Sequence, residues 1–161
     1  MKKELLYLAC VILGIILIDG LQFGFDIFSG DTTIDFNVHD TYFVTSTVYV
    51  AVFSILLLTS AIYFARLVFT RFKNKFANYT FLVCNALLIL SLILICIFLG
   101  DFNALIRGDV NETTTREFAT SMNKVIANLL YSAYFAIILA LFLEIIVIFK
   151  TRRLHQDAST I

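Results

Sequence analysis

The chain has 161 residues, 60% of them hydrophobic and 15% charged, with a mean hydropathy of +0.92 and neither proline nor tryptophan. Soluble domains run about 45–50% apolar and about 25% charged, and disordered chains are poorer still in apolar residues, so both classes are excluded. Twelve Lys and Arg balance twelve Asp and Glu. This zero net charge says nothing about nucleic-acid or acidic partners; no nucleic-acid partner is expected, and the expected surroundings are a lipid bilayer and other membrane-protein subunits or further copies of the chain.

A helix needs about 20 apolar residues to cross the hydrocarbon. The first span is expected at about 5–25, where a 14-residue uncharged run from Leu5 to Ile18 continues past Asp19 and Gly20. Lys2 and Lys3 before that run resemble a secretory n-region, but no small-x-small cleavage site follows, so the helix is expected to be retained. Asp19, Gln22 and Asp26 stand at i, i+3 and i+7 and predict one polar face. Ionisable residues in a span are functional candidates because their desolvation is costly. The bland alternative is that the helix leaves the membrane near Asp19 and all three are solvated. Gly20 and Gly24 form a GxxxG that allows close approach of another helix.

The first outer loop, 26–40, carries Asp26, Asp31, Asp35 and Asp40 and no basic residue. From Ile34 to His39 apolar and polar residues alternate, the period of an extended strand, which puts Asp35, Asn37 and His39 on one side. Asp40 stands just before the next apolar run, where it is expected to cap that helix. Asp35, His39 and Asp40, with Asp31, offer carboxylates and one imidazole, a donor set suited to Mg or Mn. The competing reading is a helix cap and a surface hydrogen bond.

The second span is expected at 41–65, from the 25-residue uncharged run Thr41 to Ala65. The segment Ile34-Asp35-Phe36-Asn37-Val38-His39-Asp40-Thr41-Tyr42-Phe43-Val44 resembles the catalytic subunit I of haem-copper (cytochrome c) oxidases, just before and into its tenth transmembrane helix. The resemblance covers about Thr33 to Val50 and is carried by the His-Asp-Thr-Tyr core. In that family the following helix supplies two haem-ligating histidines, at positions held here by Thr47 and Tyr49. With His39 and His155 the only histidines, no haem and no oxygen chemistry are expected. The resemblance does imply that His39 and Asp40 occupy the place where the family holds a redox-inactive Mg or Mn beside another subunit.

The third span is expected at 76–100, with Asn85 and Ser91 as hydrogen-bonding groups between helices. A second outer loop, 101–124, is of mixed charge and is expected to carry a short helix around 115–124. The fourth span follows at 125–149; within it Glu144 lies six residues before Lys150, placed to pair with Arg66 or Lys150 or to reach headgroups. Cys10, Cys84 and Cys96 lie in apolar runs without metal or disulfide spacing and are expected to be buried free thiols.

Nine of the twelve basic residues, Lys2, Lys3, Arg66, Arg71, Lys73, Lys75, Lys150, Arg152 and Arg153, flank the spans on one side. The positive-inside rule makes that side cytoplasmic, so both termini are expected there. Tyr7, Tyr42, Tyr63 and Tyr79 are the candidates for an aromatic belt. The expectation is an all-α integral membrane protein, a single-domain four-helix bundle in a bacterial inner membrane. Two functions remain open: a noncatalytic accessory subunit that resembles the terminal helices of an oxidase subunit I, or a small ion-conducting or transport protein that uses its intramembrane carboxylates.

Overall fold

The computed structural model describes residues 2–38, 41–108 and 113–159. The helices are α1 (Lys2–Phe23), α2 (Thr47–Phe69), α3 (Lys75–Gly108) and α4 (Thr113–Ser159). Each contains a stretch long and apolar enough to cross a membrane: Lys2–Phe23, Thr47–Phe69, Lys75–Ala104 and Thr120–Arg153. Between α1 and α2 come a 3-10 turn (Phe25–Phe28) and an antiparallel hairpin, β1 (Thr33–Val38) with β2 (Thr41–Ser46). The chain is thus predominantly helical, as expected, with one short hairpin that was not.

The hairpin corrects the expected start of the second span. Thr41 to Ser46 is uncharged but rich in β-branched and aromatic residues, and it pairs with Thr33 to Val38 instead of opening the helix. Ser46, in extended backbone, immediately precedes α2, so the helix cap expected of Asp40 falls six positions too early. The expected outer loop 101–124 is likewise mostly helix, since α3 runs on to Gly108 and α4 begins at Thr113. At 1.5 Å per residue the 34 residues of α3 and 47 of α4 span about 51 and about 70 Å, against about 30 Å of hydrocarbon. Both are longer than one crossing requires.

Two sets of hydrogen bonds fix which ends lie together. Glu4 at the start of α1 meets Arg66 and Asn74 at the α2–α3 turn. Asn78 at the start of α3 bonds Thr151 near the end of α4, at 2.9 Å. The start of α1, the turn and the far part of α4 thus share one end of the molecule, called here the termini end. A core of Tyr63, Leu67, Phe72, Ala77, Phe81 and Val147 closes this end, joined by Leu8 of α1. Apolar helices gain little from leaving lipid for one another, so association rests on close packing and on polar ties such as these. The helices pack in a row, α1 on α2, α2 on α3 and α3 on α4.

The turn that reverses the chain at the termini end uses left-handed backbone at two non-glycine residues, Arg71 (φ 51°) and Phe72 (φ 62°). Phe72 N–H donates to Leu67 O at 2.9 Å, and its own carbonyl accepts from Asn78 Nδ2 at 2.9 Å. The Lys150 ammonium lies 4.7 Å from the centre of the Phe72 ring. These contacts hold a conformation that L residues otherwise avoid.

Candidate functional site

Two separate polar sites lie in the middle of the helix row. In the first, Ser60 of α2, Asn85 of α3 and Glu144 of α4 are joined across three helices. Asn85 Nδ2 donates to the Ala140 carbonyl at 3.0 Å and to Glu144 Oε2 at 3.3 Å, while Asn85 Oδ1 accepts from Ser60 Oγ at a long 3.5 Å. Both amide protons and the amide oxygen are thereby used, which is why Asn85 tolerates being only 2% exposed. The expected interhelical role of Asn85 holds; Ser91 instead donates to Leu88 O within its own helix. Glu144 pairs with neither Arg66 nor Lys150, because Arg66 is engaged by Glu4 at 2.7 Å and Lys150 covers Phe72.

Beside this triad lies an apolar groove of about 320 Å³ between α2, α3 and α4. Its walls are helix stripes at 3- and 4-residue spacing: Phe53, Leu57, Ser60 and Phe64 on one side, Phe81, Asn85, Leu88 and Leu92 in the floor, Ala136, Ala140 and Leu143 opposite. The small side chains of Ala136 and Ala140 leave the space.

The second site is Asp19, 2% exposed in α1. Ser54 Oγ of α2 donates to Asp19 Oδ1 at 2.9 Å, and Oδ2 is buried without a partner among the described residues. Of the three residues that the bland alternative leaves solvated, Asp19 is therefore buried, while Gln22 and Asp26 are exposed. The expected single polar face is overturned: α1 stops at Phe23, and Asp26 sits in the 3-10 turn. Gly20 and Gly24 do not serve a helix–helix approach. A Cβ on Gly20 would lie 2.7 Å from the Phe25 ring, which folds back onto it, and Gly24 (φ 93°) ends the helix.

The segment that resembles the oxidase divides between strand and helix. Asp35 is an exposed residue of β1 opposite Val44, and Asp31 is exposed. His39 and Asp40, and with them the expected cluster of Asp35, His39 and Asp40, lie outside the described residues. Among the described residues no three His, Cys, Asp or Glu side chains gather as a metal site would require. Thr47, where the family has an imidazole, is 2% exposed, and its hydroxyl contacts the carbonyls of Ile27 (3.0 Å) and Thr32 (3.1 Å) and the Thr32 hydroxyl. With its N–H on Thr32 O at 3.0 Å, Thr47 locks the hairpin to the first turn of α2. Tyr49 faces outward, 73% exposed.

One cluster was not anticipated. Glu4 Oε1 accepts from Arg66 Nη2 and from Asn74 Nδ2, and the Arg66 guanidinium lies 4.1 Å from the centre of the Tyr7 ring, beside Tyr63. Tyr63 is wholly buried and packs edge-on to Tyr7, so it belongs to the core and not to an aromatic belt. Glu4 and Arg66 are 62 positions apart, and only the coarse signal of a charge at each helix end pointed to them. Cys10 is exposed, against expectation, whereas Cys96 is buried. No protein family, curated protein or solved structure matches this chain.

Proposed function

We propose that the chain is a noncatalytic accessory subunit of a membrane-protein complex in a bacterial inner membrane, with both termini cytoplasmic. The observation that carries this reading is the open row of helices. Among the described residues α1 has α2 as its one substantial helix neighbour, and it turns Leu5, Leu6, Leu13, Leu17 and Leu21 outward. A helix held along one side only gains packing on the other from a second subunit more readily than from fluid lipid. The resemblance of residues 34–44 to an oxidase segment, without imidazole at Thr47 and Tyr49, supports a partner of the respiratory-complex type and a chain that does no haem chemistry itself. In this reading Asp35, His39 and Asp40 contact that partner or share a Mg or Mn ion with it. Purification from native membranes in a mild detergent tests the proposal: a second membrane protein in fixed stoichiometry is expected, and a chain that elutes only as a monomer or as a homo-oligomer refutes it.

A second reading, a small ion-conducting or transport protein, is favoured by the burial of Asp19 with an unpartnered carboxylate oxygen. Ion flux into proteoliposomes containing this chain alone, lost in Asp19→Asn, would select it over the first.

A further inference from the structure

We propose that the groove between α2, α3 and α4 binds a small lipophilic cation, with its apolar body along the groove and its positive centre at Glu144. The inference goes beyond the accessory role and does not depend on it.

Charge points to the ligand class. Glu144 lies in the α4 span, and among the described residues no Lys or Arg pairs with it: the two partners expected for it, Arg66 and Lys150, are held by Glu4 and by the Phe72 ring. Its one hydrogen bond among the described residues comes from Asn85, a neutral donor. A carboxylate in such surroundings is complementary to a cation, and a cation that reaches it through the membrane must carry apolar surface.

The groove supplies the place for that surface. Asn85 is at once a lining residue and the donor to Glu144, so the carboxylate, itself outside the lining, stands one hydrogen bond behind it. Phe64 and Phe81 line the same end, one turn from Ser60 and Asn85, with ring centres 5.6 Å apart. Aromatic faces attract cations, ammonium groups with methyl substituents above all. Leu143, the chain neighbour of Glu144, also lines this end. Carboxylate, aromatic pair and the termini end of the groove therefore coincide, and the cationic centre belongs there. The apolar body extends along Leu57, Leu88 and Ala140.

Size narrows the class further. About 320 Å³ is near the lower bound of small-molecule pockets. A second transmembrane helix is excluded, because a 12-residue stretch such as Phe53–Phe64 spans about 18 Å and a helix of that length and about 10 Å diameter fills about 1,400 Å³. One aromatic ring or short alkyl group with an ammonium centre fits.

The test uses the full-length chain in neutral detergent, with binding of benzyltrimethylammonium and of its uncharged carbon isostere neopentylbenzene measured by equilibrium dialysis against protein-free micelles. The wild type is expected to take up one equivalent of the cation. Glu144→Gln should weaken cation binding at least tenfold and leave the isostere unchanged, while Glu144→Asp retains most of the affinity. Ala136→Leu, at a half-exposed lining position that tolerates bulk, should lower binding of both compounds at least tenfold by filling the groove. Should Glu144→Gln fail to fold, Ala136→Leu and the preference of the wild type for the cation decide the matter. Absence of saturable cation uptake by the wild type, equal cation affinity in Glu144→Gln, or cation binding that survives Ala136→Leu would each overturn the proposal.

Discussion

Replacing Thr47 by valine keeps the β-branched shape and removes one hydroxyl, so it isolates the tie between the hairpin and α2. That hydroxyl touches Ile27 O at 3.0 Å, Thr32 O at 3.1 Å and the Thr32 hydroxyl. A hydroxyl carries one proton, so it cannot donate to both carbonyls at once. Thr32 O keeps the Thr47 N–H as a donor, and the half-exposed Thr32 hydroxyl keeps Asp26 O. Ile27 O is the group left without a strong donor, inside a residue that is almost wholly buried. An unsatisfied buried acceptor costs about 1–3 kcal/mol, and Thr47→Val should lose about 2 kcal/mol of stability. Thr47→Ser, which keeps the hydroxyl and loses one methyl, should lose about 0.8 kcal/mol or less. Reversible unfolding in mixed micelles, followed by the reactivity of the buried Cys96 thiol, supplies the measurement, and backbone amide exchange in Thr33–Ser46 localises it. A valine variant within about 0.5 kcal/mol of wild type, with unchanged exchange in the hairpin, would show that the hydroxyl does not hold the junction.

Other perturbations have equally definite outcomes. Ser54→Ala removes the one donor to Asp19 and should destabilise by about 1–3 kcal/mol, whereas the same change at the exposed Tyr49 should stay within about 0.5 kcal/mol; equal effects at the two positions would place Asp19 in solvent. A double-mutant cycle between Glu4→Gln and Arg66→Gln should give a coupling of about 1 kcal/mol, since the pair is partly exposed and screened; zero coupling in low salt would dismiss the pair. Arg71→Gly frees a left-handed position of its Cβ clash and should stabilise by about 0.5–1 kcal/mol, so a loss of stability would contradict the backbone described. If Asp35, His39 and Asp40 share a cation, added Mn should raise the melting temperature of the wild type and not that of His39→Ala; chelator-insensitive melting of the wild type removes the cation and leaves partner contact.

The spans were legible because charges interrupt long apolar runs, and that signal needs no knowledge of contacts. The start of α2 was not, because Thr41 to Ser46 is as uncharged as a helix in lipid, and its strand character comes from pairing with Thr33 to Val38, whose residues stand three to thirteen positions before their partners. The full length of α3 and α4 was missed for the opposite reason: polar residues stop a span without stopping a helix, and no proline intervenes. The candidate sites divide in the same way. Asn85 was readable as an interhelical donor from its type and depth alone. Asp19 stood out by type, but its burial depends on Ser54, 35 positions later, and Glu144 found a neutral amide where sequence offered two cations. Contacts of that range follow from which helices become neighbours, which a single apolar pattern does not encode.

The most direct test of the account is the sidedness of the two ends of the helix row. The termini end, with the 66–75 turn, carries nine of the twelve basic residues, and the positive-inside rule puts it in the cytoplasm. In a chain with Cys10, Cys84 and Cys96 replaced by serine or alanine, single cysteines at Asn74 and at Asn111 are to be treated with a membrane-impermeant maleimide in intact cells and in inverted vesicles. Asn111→Cys should react only in intact cells and Asn74→Cys only in inverted vesicles. Labelling of both from the same side would contradict four spans, and an exchange of the two sides would overturn the orientation, and with it the comparison of His39 and Asp40 to an outward-facing oxidase site.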